Sequence, residues 1–413
     1  TFAMVLNYIW VAFFLIAFII ALYKLIVEGD IDIFDRLIQS TFDQSSLAFD
    51  LALHLTGAMA MWLGIMKIGE KAGVVKLLTF IFGPFFRRLF PEVPTNHPAI
   101  TPIFMKLSAN LLGLDNAGTP LGIKAMQEMQ KLNPKKDEAS NAQIMFAVLN
   151  TTGLTFIPLT VMIYRARLQA DNPSDIFIPI LISTAITGIA GMILVALYQR
   201  INLLDPVLLG YLAIILGSLG LIIYNLSGLP KERISEISKV FSNLILFSII
   251  VFFIILALFR RVNIYESFIE GAKEGFDVAI KIIPYLVGIM IAIGVFKESG
   301  ALEIITSTLE KLVLKAGWNA DFIPGLPTAF MKPLSGSGAT GMMLETMNHY
   351  GVDSFQGRLV SIFQGTTDTT LYILAIYFGA INIKKTRYAA TCGLLADLIG
   401  IVTAIYVAYV FYH

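Results

Sequence analysis

PTAFMKPLSGSGATGMMLETM, residues 327–347, is the stretch on which the fold turns. It is apolar enough to enter a bilayer. Two prolines, three glycines and Lys332 interrupt it, so it cannot cross as one straight helix. A second stretch of the same character is FMKLSANLLGLDNAGTPLGIKAMQEM, residues 104–129. It follows LLTFIFGPFFRRLF (77–90), whose Phe85-Phe86-Arg87-Arg88 reads as an amphipathic helix at a membrane surface. Backbone that breaks at membrane depth survives only when buried in protein or lining a wet cavity. These two stretches are therefore where function is sought.

The chain around them is made for lipid. It has 413 residues, 56% hydrophobic and only 14% charged, where soluble proteins average about 25% charged. That composition excludes a soluble enzyme and a disordered protein. A net charge of +1 gives no basic face for nucleic acid. The one cysteine, Cys392, forms no intramolecular disulfide and no cysteine metal site. The four histidines show no metal-ligand spacing, and there is no P-loop, so no cofactor or metal is called for.

Nine apolar runs have the length of a span, about 20 residues: 5–26, 48–68, 142–164, 176–198, 206–226, 240–259, 278–296, 357–380 and 388–411. The first has no basic residue before Lys24 and no small-residue cleavage site, so it reads as a retained span rather than a signal peptide.

The runs repeat. AFDLALHL (48–55) parallels GFDVAIKI (275–282), and each aspartate stands the same distance before a glycine, Gly73 or Gly300. Phe104-Met105-Lys106 returns as Phe330-Met331-Lys332, and LNTTGLTFIPL (149–159) as FQGTTDTTLYIL (363–374). The expected architecture is an all-α polytopic membrane protein of two halves, 1–200 and 240–413. Each has about four transmembrane helices plus a broken segment. A linker, 201–239, carries one extra span. If the broken segments re-enter, the extra span inverts the second half; if they cross fully, the halves are parallel. The inverted arrangement is preferred, because it sets two half-helix ends face to face at mid-membrane.

Polar residues in the broken segments form the first candidate site. Ser335-Gly336-Ser337-Gly338-Ala339-Thr340-Gly341 leads into a helix, with Asp115-Asn116-Ala117-Gly118-Thr119-Pro120 as its counterpart. Small residues let a backbone approach a ligand, and a helix N-terminus offers free N–H groups to an anion or hydroxyl. Unwound carbonyls would instead hold a cation, and close helix packing is the purely structural alternative. Asn110, Asn150, Lys332, Gln364, Thr367 and Asp368 join this substrate-binding set. Asp368 lies within GTTDTT (365–370), inside a span, where a carboxylate needs a partner, water or a cation. Lys106 and Lys332 either pair with acids, face an anionic solute, or snorkel to the interface.

Ion-coupling candidates are Asp50 with His54, Asp277 with Lys281, each pair at i, i+4, and Asp397 within the last run. The alternative for the two pairs is neutralised ion pairs in the first turns of their helices, in the headgroup layer.

The motifs carry a resemblance. NLLGLDNAGTPLGIKAMQEMQ (110–130) resembles spore maturation protein A. GAKEGFDVAIKIIPYLVGIMIAIGVFKESGAL (271–302), PTAFMKPLSGSGATG (327–341) and QGTTDTTLYILAIYFGA (364–380) resemble spore maturation protein B. The chain looks like an A–B fusion within the nucleoside-recognition (Gate) domain group. The resemblance implies a multi-pass protein of the bacterial cytoplasmic (inner) membrane, from a pair linked in spore formers to dehydration of the spore core. The expectation is an ion-coupled transporter or permease for a small polar solute or ion, its site between residues 110–120 and 333–341. A non-transporting scaffold for envelope or spore maturation factors is the rival. An intramembrane enzyme is the weaker one, because no catalytic set is visible. The expected partners are an unidentified small-molecule or ion substrate and the lipid bilayer; homo-oligomerisation stays open.

Overall fold

A computed structural model describes the backbone of residues 2–111, 115–153, 155, 158–227 and 231–413. The side chains of His54, Asp115, Asn116, Thr119 and Lys281 lie outside the described residues, so these five candidates have no structural account. The chain is all-helical, with seventeen α-helices and no strand among the described residues.

The first eight are α1 (Phe2–Tyr23), α2 (Ile33–Ala72), α3 (Val74–Leu89), α4 (Ile100–Leu111), α5 (Asp115–Leu132), α6 (Asn141–Thr151), α7 (Leu159–Arg167) and α8 (Phe177–Gln199). A single helix, α9 (Pro206–Ser227), follows. Eight more come in the same order of types: α10 (Lys231–Phe259), α11 (Ile264–Glu298), α12 (Ala301–Lys315), α13 (Leu326–Met331), α14 (Gly336–Tyr350), α15 (Phe355–Thr366), α16 (Thr370–Gly379) and α17 (Ala389–Tyr412). The correspondence reaches the caps. Gly73 after α2 and Gly300 after α11 both take the left-handed conformation, at φ 87° and 88°, which glycine adopts without strain.

The sequence expectation of nine continuous spans needs correction. Among the described residues, three helices are long and apolar enough to cross a membrane: Trp10–Glu28, Phe177–Gln199 and Ala389–Tyr412. The runs 206–226 and 240–259 each lie within one helix, α9 and α10. The runs 142–164 and 357–380 are each two short helices, α6–α7 and α15–α16, because threonine, glycine, proline and Asp368 at their centres favour backbone outside a helix. The runs 48–68 and 278–296 are inner parts of α2 and α11. Those helices of 40 and 35 residues extend about 60 and 52 Å at 1.5 Å per residue, beyond a bilayer core of about 30 Å. Asp50 and Asp277 consequently stand deep within their helices rather than in the first turns, and both are exposed.

α2 and α11 pack antiparallel. Gly275 fits against Ala60, where an added Cβ would come within 2.7 Å of its Cα, and Gly271 fits against Gly64. Small residues four apart on both helices allow this close approach. At one end Arg36 reaches Glu298 across 3.2 Å; at the other Lys67 reaches Glu274 across 2.9 Å. In the loop before α2, the Arg36 guanidinium beside Asp30 holds that carboxyl below its usual range. α8 and α17 also run antiparallel: Gly191 meets Ala396, Gly400 meets Thr187, and the Tyr198 and Tyr388 rings stack at 4.6 Å. The outer surface is apolar, with Ile19, Leu221, Phe247 and Val402 each more than 60% exposed, as lipid contact requires.

Candidate functional site

The two helix breaks touch. The Asp368 N–H donates to the Thr151 carbonyl across 2.9 Å. The Leu371 N–H donates to the Pro333 carbonyl across 3.0 Å, which ties the α13–α14 turn to the second break. Thr184 Oγ1 and Thr155 Oγ1 donate to the Gly153 carbonyl at 3.0 and 2.8 Å. Asp368 Oδ1 accepts from the Thr369 N–H at 2.7 Å. The unwound backbone is thus supplied with partners away from water, the condition for such breaks in a membrane.

The junction borders a cavity of about 270 Å³. One wall is Lys332, Gly336, Ser337 and Thr340 from the turn before α14 and its first residues. The second is Gln364, Gly365, Thr367, Asp368 and Thr369. The third comes from the first break and α7: Gly153, Thr155, Pro158, Thr160 and Tyr164. Asn110 closes one end and Leu286 of α11 contributes apolar surface. Among the described residues, the lining mixes hydroxyls, carboxamides, one ammonium and one carboxylate over apolar walls, the composition of a small polar-ligand site.

Of the residues read as substrate-binding, Asn110, Lys332, Ser337, Thr340, Gln364, Thr367 and Asp368 line this cavity. Two others are placed differently. Ser335 caps α14, its hydroxyl accepting from the Gly338 N–H at 3.0 Å, so its oxygen is engaged in the helix start. Asn150 lies behind the lining and orients Asn110, accepting from Asn110 Nδ2 at 2.8 Å while donating to the Phe146 carbonyl at 2.6 Å. Lys106 Nζ donates to Asn110 Oδ1 at 2.5 Å and Tyr377 OH to Asn150 Oδ1 at 3.4 Å. This is a buried Lys106–Asn110–Asn150–Tyr377 chain. On the other side Gln364 Nε2 donates to Thr340 Oγ1 at 3.0 Å, and Thr340 Oγ1 donates to the Gly336 carbonyl at 2.9 Å. The expected location lay between residues 110–120 and 333–341, and residues 112–120 of it have side chains outside the described residues. Among the described lining residues, the 333–341 turn is one wall, the first break with α7 is another, and Asn110 comes from 110–120.

The ion-coupling candidates separate. Asp397 is buried at 3% exposure, close behind the cavity. Asp50 and Asp277 are exposed on the long helices and do not line it. No cluster of three His, Cys, Asp or Glu side chains suited to a metal ion occurs among the described residues.

Sequence reasoning missed Thr155, Thr160 and Tyr164, because residues 142–164 read as one uniform apolar run, and Thr369, which stands beside Asp368 in GTTDTT. It also missed a buried ion network at one end of the core. Arg165, wholly buried at the end of α7, bonds Asp175 at 2.9 Å and Asp353 at 2.8 Å. Arg358 bonds Asp175 at 2.7 Å, and the Tyr412 hydroxyl donates to the Asp175 carbonyl at 2.9 Å. Two guanidinium groups and two carboxylates neutralise one another there, which burial of charge demands. The opposite end has a looser counterpart: Arg387 bonds the Ala139 carbonyl and Asn141 at 3.0 and 3.1 Å, and the Tyr388 hydroxyl bonds Asn141 at 2.9 Å.

The comparisons with known proteins agree with this duplicated geometry. The Gate model, described as nucleoside recognition, matches twice, over residues 52–167 and 279–384. The chain belongs to the Gate family. Each Gate match spans one broken pair, α6–α7 or α15–α16, together with the interrupted segment before it. Spore maturation protein B of Bacillus subtilis (strain 168) is 51% identical over 146 residues, 35% of this chain and 80% of that protein. Spore maturation protein A of the same organism is 37% identical over 188 residues, 46% of this chain and 92% of that protein. The chain is thus an A–B fusion within the family. No solved structure matches it.

Proposed function

We propose that this Gate protein is a multi-pass permease of the bacterial cytoplasmic membrane, moving a small polar solute or ion through the cavity at the helix breaks. The observation that carries the reading is the 270 Å³ cavity, lined in part by polar side chains, at the point where the two breaks are hydrogen-bonded to each other. Discontinuous helices meeting at a central site are the means by which many transporters bind a solute within the bilayer. The exposed apolar surface supports a bilayer location. In this reading the chain is not an enzyme, needs no cofactor and engages no nucleic acid.

The halves 1–200 and 240–413 are read as inverted, with residues 201–239 as the linker whose helix α9 reverses the second. Antiparallel packing of α2 on α11 and of α8 on α17 supports this. Corresponding helices that run antiparallel are exchanged by a two-fold axis perpendicular to them. For helices standing across a bilayer, that axis lies in the membrane plane. A role in spore maturation, the process named in both relatives, is carried to this chain as part of the same proposal. Coupling to a monovalent ion is included because charged groups lie at the cavity and no P-loop is present.

Uptake into proteoliposomes tests the reading, using labelled nucleosides, amino acids and inorganic ions with an imposed H⁺ or Na⁺ gradient. Protein-dependent uptake that is lost in Asp368→Asn is expected. No uptake of any probe, with stable capture of envelope proteins instead, would favour the scaffold.

A further inference from the structure

Behind the cavity lies a second, much smaller space, of about 10 Å³, lined by Lys332, Pro333, Thr366 and Asp397 among others. Asp397 projects from α17, and neither of its carboxylate oxygens has a hydrogen-bond partner, although the residue is 97% buried by its 3% exposure. Thr370, the first residue of α16, has a buried hydroxyl that also lacks a partner and faces this carboxyl. The two polar groups are buried within reach of each other, yet outside full hydrogen-bond geometry. Groups so placed normally signal a ligand or a proton that completes them.

The charges around Asp397 narrow what that ligand is. Among the described residues, the ionisable groups placed to act on it are Lys332 and Asp368. Of the helices packed on α17, α6 has no ionisable side chain, α8 has Tyr198 at its far end, and α16 has Tyr372 and Tyr377. α15 has Arg358, held by Asp175, and the charges of α10 are confined to residues 231–239. One ammonium therefore serves two carboxylates. Lys332 borders both spaces, with Asp368 in the larger and Asp397 in the smaller. When it neutralises one, the other needs a positive charge or must be neutral, since a lone buried carboxylate is costly. A space of about 10 Å³ holds at most one water, and a metal cation would sit beside the ammonium. A proton fits both constraints.

We propose that Asp397 is a proton-binding site connected to the solute cavity through Lys332. A proton arriving from water forms an O–H bond at one Asp397 oxygen, and the neutral carboxyl donates to Thr370 Oγ1. Lys332 keeps its own proton and turns its charge to Asp368 and the cavity. Loss of the proton reverses these movements. The consequence for coupled uptake rests on the permease reading; the site itself does not, and it is measurable without any solute.

The test is infrared difference spectroscopy of the full chain in liposomes, comparing acid and alkaline buffer. Wild type is expected to show a protonated-carboxyl C=O component that Asp397→Asn removes. Asp397→Glu keeps it at a displaced frequency, which covers the case in which the amide variant does not fold. Lys332→Met alters the pH at which the component titrates. Spectra of either Asp397 variant identical to wild type in this band would overturn the proposal, as would a titration unmoved in Lys332→Met. An Asp397 band in protein that transports none of the probes supports the proton site and counts against the permease reading alone.

Discussion

The amide of Asp368 donates to the carbonyl of Thr151 across 2.9 Å, so the break in α15–α16 is closed by the break in α6–α7. Each interruption supplies what the other lacks.

Gly153 guards this junction. Its φ is +58°, and a Cβ there would lie 2.9 Å from the Asp368 nitrogen. Gly153→Ala therefore meets both a left-handed backbone and a clash with main chain. We expect a loss of about 1–3 kcal/mol, the range for overpacking, read as a lower midpoint in thermal unfolding of the detergent-solubilised chain. Unchanged stability would mean that the breaks separate readily.

Arg165 gives a larger effect at the end of the core. Removing one partner from a buried ion network strands the rest and costs about 3–5 kcal/mol. Arg165→Met should approach that range. Arg358→Met should cost less, since the Arg358 side chain is 23% exposed while that of Arg165 is wholly buried. Chemical denaturation of the two variants compares them directly, and the reverse order would assign the network's weight to Arg358.

Much of this was legible in the residues. The shortage of charge implied lipid, and the FMK and threonine-rich repeats revealed duplication. The polar residues of 332–340 and 364–368 could be named because proline, glycine and Asp368 disturb an apolar pattern. The breaks themselves were harder to see. Residues 142–164 are apolar on both sides of Thr151 and Gly153, and hydropathy does not register a change of backbone direction. Arg165 and Asp175 read as ordinary charges flanking a span, because their partners Asp353 and Arg358 are nearly two hundred positions away. The ends of α2 and α11 were misjudged for a related reason. Their charged outer turns pair with each other, Lys67 with Glu274 and Arg36 with Glu298, and no window on one helix shows that.

Asn110 tests whether the chain behind the cavity wall matters. Asn110→Ala leaves Lys106 and Asn150 each short of one hydrogen bond. The cost is about 1–3 kcal/mol for buried groups left unsatisfied. Asn110→Asp keeps an acceptor for Lys106 but removes the donor to Asn150, so it should retain more stability than the alanine variant. Equal losses in the two would indicate that Lys106 draws its support elsewhere.

The inverted arrangement has a direct test in the loops that close the two halves. Residues 168–176 join α7 to α8, and 380–388 join α16 to α17. They hold corresponding places, so an inverted repeat sets them on opposite faces of the membrane. The antiparallel run of α8 against α17 already separates their starts by the length of a helix, about 35 Å at 1.5 Å per residue. The only cysteine, Cys392, is wholly buried, so a cysteine introduced at Gln169 or at Asn382 can be labelled against a low background. In sealed, right-side-out vesicles an impermeant maleimide should label one of these positions, and the other only after permeabilisation. Labelling of both from the same side would fit a parallel repeat and remove the in-plane two-fold axis.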